Sequence, residues 1–122
     1  MLHGGYATGV KYWPIGGIAE FLYGNGIKHA LGQNARMLPE RSSDTYGSTA
    51  FLDDTYDYDQ NGNVLAITDG TSGGRGNRTM EYDDLDRLLT VTSPMYSATS
   101  TPGTMTFGYD VLDNITSVRA WN

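Results

Sequence analysis

Polar and apolar residues alternate along three stretches of the chain, at 55–58, 79–82 and 105–109, and each stretch ends in tyrosine. An aspartate follows each tyrosine, and after a short polar gap comes a run of β-branched or aliphatic residues. Alternation with a period of two, interrupted by Asp, Asn and Gly, is typical of two strands joined by a tight turn. The pattern therefore predicts a β-hairpin at each Tyr-Asp pair.

The residues after each pair predict the conformation of the turn. Asp59 can accept hydrogen bonds from backbone amides further along the turn, and Gly62 can adopt a positive φ at no steric cost. Asp86 and Asp113 take the position of Gly62 in the second and third copies, and Asp tolerates the left-handed conformation better than most residues. We expect three similar turns, with packing carried by Tyr58, Tyr82, Tyr109, Val64, Leu88, Val91 and Val118.

The spacing of these pairs predicts a repeat. Further turns are expected at 12–17, at 24–26 and around 34–36, with strands at 18–23, 27–31 and 37–41 and an entering strand within 1–11. Units then start near positions 12, 33, 58, 82 and 109, with Gln33 in the place of the tyrosine. A near-constant step indicates an array in which each unit packs against its neighbours. Stretches of small polar residues predict loops at 42–48, 69–77 and 93–103.

The fold class that follows is all-β, an antiparallel β-hairpin repeat array that forms a curved sheet over residues 1–122 as a single segment. The 16 glycines among 122 residues suit many turns. A net charge of −6 argues against nucleic acid as a partner, because phosphate binding needs clustered Lys and Arg. No apolar run approaches the ~18 residues that a membrane span needs, and there is no cysteine for disulfide or thiolate chemistry.

Acidic residues raise two candidate chemistries. The run Asp57-x-Asp59-x-Asn61-Gly62-Asn63 resembles a calcium loop, but the twelfth position, which needs a bidentate carboxylate, is Thr68. A capped turn is therefore favoured over calcium. Paired carboxylates at 57 and 59 could also serve glycosidase chemistry, yet turn aspartates are expected to be exposed. The other carboxylates predict a solvated acidic rim: Asp53, Asp54, Asp83, Asp84 and Asp86.

Histidine offers no further chemistry, because His3 and His29 lack the spacing of metal ligands. We expect no catalytic residues, no metal, no cofactor and no enzymatic activity.

The repeated positions resemble the YD repeats of the RHS family, which also occur in teneurins and in insecticidal toxin complexes. The resemblance covers roughly residues 12–119 and rests on a recurring Tyr-Asp, followed by Gly-Asn or by an Arg-Leu pair. The positions that carry it, and that we predict to be structural, are Tyr58, Asp59, Gly62, Asn63, Tyr82, Asp83, Leu85, Arg87, Leu88, Tyr109, Asp110 and Asn114.

The resemblance implies a fragment of a larger β-shell that encloses a C-terminal toxin or mediates cell-surface contact. It also implies secretion or delivery to a cell surface, with toxin cargo as one partner. Neighbouring repeats, or another copy paired through strand edges, are the other expected partners. The family's self-cleavage motif and a toxin domain are not recognisable in this chain. The alternative is a β module that binds carbohydrate or a cell surface through exposed aromatics such as Trp13 and Trp121.

Overall fold

The structure is a computed structural model that describes residues 6–98 and 101–121. Ten strands are hydrogen-bonded in chain order, each antiparallel to the next, which confirms the all-β hairpin prediction. The strands are β1 Ala7–Tyr12, β2 Ile18–Tyr23, β3 Lys28–Gln33, β4 Pro39–Tyr46, β5 Thr49–Tyr58, β6 Val64–Asp69, β7 Arg78–Tyr82, β8 Leu88–Ser93, β9 Gly103–Tyr109 and β10 Ile115–Trp121.

Helix is confined to one 3-10 turn, Pro94–Tyr96, among the described residues. The side chain of Ser93 caps it by accepting a hydrogen bond from the Met95 amide, at 3.1 Å. Within 6–98 and 101–121, no helix has the length and apolar character needed to cross a membrane.

The chain divides into two compact units. The first unit comprises the described residues of Met1–Thr55 together with Asp69–Gly74, and the second comprises those of Tyr56–Thr68 and Arg75–Asn122. The division falls within β5 and β6, so β1 to β4 belong to the first unit and β7 to β10 to the second.

In the first unit, ion pairs and aromatic contacts join neighbouring strands. Glu20 on β2 forms ion pairs with Lys11 on β1 and with Lys28 on β3. Across the next strands, the Nδ1 atom of His29 lies 2.7 Å from a carboxylate oxygen of Asp44.

Additional contacts extend this pattern. The ring of Phe21 meets those of Tyr23 and His29, with centroids 4.8 and 5.1 Å apart. Arg41 holds the carboxylate of Asp53 through two hydrogen bonds of 2.6 and 2.9 Å.

The second unit has one apolar and one polar sheet face. Residues paired directly across antiparallel strands share a face, and the pairs give an apolar row that runs from β7 to β10: Met80, Val91, Met105 and Ala120. Phe107 and Val118 form a second pair on this apolar face. The opposite face carries a row of hydroxyl side chains: Thr79, Thr92 and Thr104, with Thr90 and Thr106 beside them.

No apolar side chain is fully buried in the described part of the chain, and Val118, expected to pack, is 52% exposed. The buried polar residues are Ser42, Asp54 and Ser93. Each unit consists of sheet without a second layer over its faces, so the apolar side chains are only half covered. The fold therefore depends on contacts between neighbouring strands and turns.

Two sequence predictions are wrong in the first unit. The expected loop at 42–48 is mostly strand, because β4 extends to Tyr46 and pairs with both β3 and β5. Strand pairing on both sides outweighs the weak preferences of Ser and Asp. Met37, expected in a strand, has φ +62° and lies in the turn before β4.

Loops at 69–77 and 93–103 occur near the expected places, apart from 99–100, which lie outside the described residues. The entering strand is β1, whereas His3, Gly4 and Gly5 lie outside the described residues.

Candidate functional site: a ladder of hairpin turns

Five turns, each beginning one residue after a predicted unit start, share one backbone pattern. The turn at 23–27 has the same two backbone bonds, with Gly26 at φ +86°, but it does not begin at a predicted unit. We number the turn positions 1 to 5, with position 1 directly after the tyrosine or its equivalent. The amide of position 1 donates to the carbonyl of position 5, and the amide of position 4 donates to the carbonyl of position 1. Position 1 is Trp13, Asn34, Asp59, Asp83 or Asp110.

Position 4 has a positive φ in all five turns. Gly16 and Gly62 have φ values of +108° and +92°, and Met37, Asp86 and Asp113 have φ values of 62°, 60° and 65°. The sequence prediction that Asp86 and Asp113 adopt the left-handed conformation of Gly62 is confirmed. The pattern also accepts methionine, which strand and turn propensities alone did not indicate.

In the second unit, the carboxylate at position 1 clamps its own turn. Oδ1 of Asp59 accepts hydrogen bonds from the amides of Asn61 and Asn63, at 2.8 and 2.9 Å. Oδ2 of Asp59 accepts a third from the Asn63 side chain, at 2.9 Å. This confirms the predicted cap and accounts for both carboxylate oxygens.

The next two turns repeat the same three bonds. Asp83 accepts from the amides of Leu85 and Arg87, and from Nε of Arg87 at 2.7 Å. Asp110 accepts from the amides of Leu112 and Asn114, and from the Asn114 side chain at 3.0 Å.

These hydrogen bonds favour the ionised carboxylates. The side chain of Asn63 lowers the pKa of Asp59, the backbone amide of Arg87 lowers the pKa of Asp83, and the side chain of Asn114 lowers the pKa of Asp110. The turns are thus most stable when all three aspartates are charged.

Tyrosine hydroxyls join successive hairpins in the second unit. Tyr82 donates to the carbonyl of Val64 at 2.9 Å, and Tyr109 donates to the carbonyl of Leu88 at 2.7 Å. In both cases the acceptor is the first residue of the preceding return strand. Partial burial raises the pKa of Tyr82 and of Tyr58, as expected for rings packed against strands.

Side chains also link one turn to the next. The side-chain Nδ2 groups of Asn61 and Asn63 both donate to Oδ1 of Asp86, at 2.9 and 2.7 Å. Nη1 of Arg87 donates to Oδ1 of Asp113 at 2.9 Å and to the Asp110 carbonyl at 3.2 Å. We call the three turns 59–63, 83–87 and 110–114, with these links, the turn ladder.

Arg87 has a larger part than the sequence indicated. Besides binding Asp83 and Asp113, its guanidinium lies 4.9 Å from the ring centroid of Tyr109, within the range of a cation–π contact. The sequence marked Arg87 as a repeat position through its Arg-Leu pair, but it indicated none of these partners. Leu85, by contrast, is 69% exposed at the turn, and only its amide takes part.

The predicted acidic rim is only partly correct. Asp54 is buried, with 3% exposure, Asp53 is paired with Arg41, and Asp83 and Asp86 are bonded within the turn ladder. Neighbouring strands and turns supply donors that sequence spacing did not reveal.

The geometry favours the turn interpretation over a calcium loop, because the oxygens of Asp59 already accept bonds from the turn's own amides. Within the described residues, no three His, Cys, Asp or Glu side chains are grouped so that they could hold a metal ion. The hydrogen bonds and ion pairs of the turn ladder serve to hold neighbouring hairpins together.

Residues 58–94 match the family model of the RHS repeat. The resemblance to RHS/YD repeats is thereby confirmed for the part of the second unit that holds its first two turns. No curated protein matches the chain in sequence.

Solved structures share the fold over most of the chain. The Photorhabdus luminescens Tc holotoxin pore, TcdB2-TccC3 and TcdB2-TccC3-Cdc42 each align with 93% of this chain at a TM-score of 0.81. Sequence identity is 19% in each case, a level at which the likeness concerns the fold. The chain spans only 7% of the length of each of those chains.

Proposed function

We propose that this chain is a structural, non-catalytic segment of an RHS-type β-shell. The turn ladder is the observation that carries the proposal. Its carboxylates, side-chain amides and guanidinium bind one another and so hold successive hairpins side by side. These polar groups therefore serve the packing of hairpins and not the binding of a substrate. The RHS repeat at 58–94 and the fold shared with Tc toxin structures support the same conclusion.

In the longer protein, the shell encloses a C-terminal toxin, and the apolar face of the second unit lies toward that cargo. Support comes from the row Met80, Val91, Met105, which no second layer of the described structure covers. These side chains are half-buried, and burying the rest of their apolar surface against a cargo would be favourable. The solved structures with the same fold include a Tc holotoxin pore and TcdB2-TccC3, in keeping with toxin cargo.

Neighbouring repeats complete the shell through strand edges. β1 and β10 each pair with a single strand in the described chain, and an edge of unpaired amides and carbonyls favours addition of another strand. We propose neighbouring RHS repeats, or a second copy, as the partners at these edges. We also propose that the protein is secreted or delivered to a cell surface, where repeats of this type can mediate contact between cells.

The proposal can be tested by measuring self-association and glycan binding on the same sample. A shell segment with open edges associates as its concentration rises in light scattering, and it binds no immobilised glycan. Replacing Met105 with Asp should reduce binding of an apolar dye, whereas Thr106→Asp on the opposite face should leave dye binding unchanged. A strictly monomeric chain that binds glycans, and loses this binding when Trp121 is replaced with Ala, would instead support the carbohydrate-binding alternative.

A further inference from the structure

The aspartates at turn position 4 do more than the turn requires. Position 4 needs a positive φ, and glycine meets this requirement without strain, as Gly62 does at φ +92°. Asp86 and Asp113 hold the same conformation at φ values of 60° and 65°, in a region that disfavours residues with a Cβ atom. Because glycine would fit this position with less strain, the presence of aspartate in two turns indicates that its carboxylate has a further role in the turn ladder.

That reason is a donor in the preceding turn. Oδ1 of Asp86 accepts from Asn63, the position-5 residue of the turn before it, at 2.7 Å, and from Asn61 at 2.9 Å. Oδ1 of Asp113 accepts from Arg87, again the position-5 residue of the turn before it, at 2.9 Å. Both bonds run in the same chain direction, from position 5 of one turn to position 4 of the next.

The sequence follows the same rule at the other turns. Position 5 is Gly17 in the first turn and Leu38 in the second, and neither side chain can donate a hydrogen bond. The residues at position 4 of the turns that follow them are Met37 and Gly62, which carry no carboxylate. A donor at position 5 therefore occurs together with aspartate at the next position 4, and absence of the donor occurs with absence of the aspartate.

We propose that the side-chain donor at position 5 and the carboxylate at the next position 4 form an inter-turn clasp that determines which hairpins lie next to each other. Asp86 and Asp113 are thus specificity-determining residues for the order of the hairpins. A hairpin with a donor at position 5 prefers a neighbour with aspartate at position 4. The clasp goes beyond the proposed shell function, because it holds whether or not the array encloses a cargo.

The first test is a double-mutant cycle on the whole 122-residue chain, read by urea unfolding at 25 °C. Asp86→Gly removes the clasp but leaves the turn a residue suited to positive φ. We expect it to raise the unfolded-to-folded ratio by about threefold or more, and to have no effect once Asn61 and Asn63 are both alanine. Asp84→Ala, which removes a charge from the same turn outside the clasp, is the control.

If Asp86 served only the turn, Asp86→Gly would be neutral or stabilising, and that result would overturn the proposal. An equal loss in the native background and in the background without both asparagines would also overturn it. A variant with Gly62→Asp and Asp86→Gly keeps the composition and the number of left-handed aspartates. The clasp rule expects this exchange to destabilise the chain.

A second measurement serves if a variant does not fold. In Asp113→Asn, the left-handed residue is still well tolerated, but the charged acceptor for Arg87 is lost. By NMR, we expect the Arg87 Nη protons to exchange with solvent faster, while the Nε proton that binds Asp83 keeps its exchange rate. Unchanged Nη exchange would contradict the clasp, because Asp113 would then not restrain the guanidinium.

Discussion

Side chains join neighbouring strands across the sheet faces in both units, but in the second unit side chains also join one turn to the next. The Asn34 turn has the same two amide bonds to its position-1 side chain as the Asp59 turn, at 2.9 and 3.1 Å. The Trp13 turn has the same backbone bonds with no carboxylate or amide side chain at position 1. The backbone turn is therefore independent of aspartate, and aspartate adds the charged clamp and the links between turns.

This difference explains where the family signal lies. The matching residues, 58–94, include two turns of the ladder, with the links from Asn61 and Asn63 to Asp86. The turns of the first unit share the backbone but not the side chains that make the repeat recognisable. A hairpin array can thus keep its geometry while its repeat signature fades.

Acid should give the largest difference in stability between the aspartate turns of the second unit and the Asn34 turn of the first. The folded turns hold the pKa of Asp59, Asp83 and Asp110 below the ordinary value of about 3.9. Their contribution to stability is complete above that ordinary value and is lost as the pH falls from it through the lowered pKa of the folded turn. The Asn34 turn does not titrate and serves as an internal control.

The measurement is amide hydrogen exchange, corrected for the intrinsic pH dependence. Protection at Asn61 and Asn63 should fall with acid, while the Arg36 and Leu38 amides should keep theirs. Equal loss in both turns would show that acid acts on the whole chain, and the comparison of the two turn types would fail.

Replacing Gly103 with alanine should give the largest effect of a single substitution. A Cβ atom there would collide with the Tyr96 carbonyl oxygen and lie 3.0 Å from that of Trp121. Because both are backbone atoms, the second unit must shift, and we expect a loss of about 1–3 kcal/mol in the free energy of unfolding. Gly47→Ala in the first unit meets no atom within 4 Å and should cost about 1 kcal/mol, through its φ of +59°. Equal losses would contradict this reading of Gly103.

Removing a tyrosine hydroxyl should have an intermediate effect. Tyr82→Phe and Tyr109→Phe each leave a strand carbonyl without its donor and should lower the free energy of unfolding by about 1 kcal/mol. Tyr46, which is 60% exposed in the first unit, provides the control, and Tyr46→Phe should be neutral. The check is thermal or urea unfolding of all three variants. A neutral Tyr82→Phe would mean that the hydroxyl link does not hold adjacent hairpins.

Salt should produce the smallest difference. Exposed ion pairs such as Glu20 with Lys28 are screened at high ionic strength, whereas hydrogen bonds that the amides of a turn donate to its own carboxylate are screened less. In 1 M sodium chloride, we expect amide exchange in β2 and β3 to accelerate by about twofold, with little change at Asn61 and Asn63. Faster exchange in the turn ladder than in the first unit would reverse the comparison.

The sequence by itself determined the three hairpins of the turn ladder, the positions of their turns and the residue at positive φ in each turn. These are local properties, because alternation, Asp caps and glycine-like conformations act within a few residues. The RHS resemblance rests on the same local pattern. Asn34 could be recognised as a turn residue, but nothing near it marked Met37 as left-handed.

Only the tertiary structure decided which side chains meet between repeats. Asn63 and Asp86 are 23 positions apart, and Arg87 and Asp113 are 26 apart, so strand pairing brings their atoms together. The burial of Asp54 and the extension of β4 through a stretch of serines depend on pairing in the same way. A side chain's conformation can be inferred from its neighbours in sequence, but its partner is set by the register of the sheet.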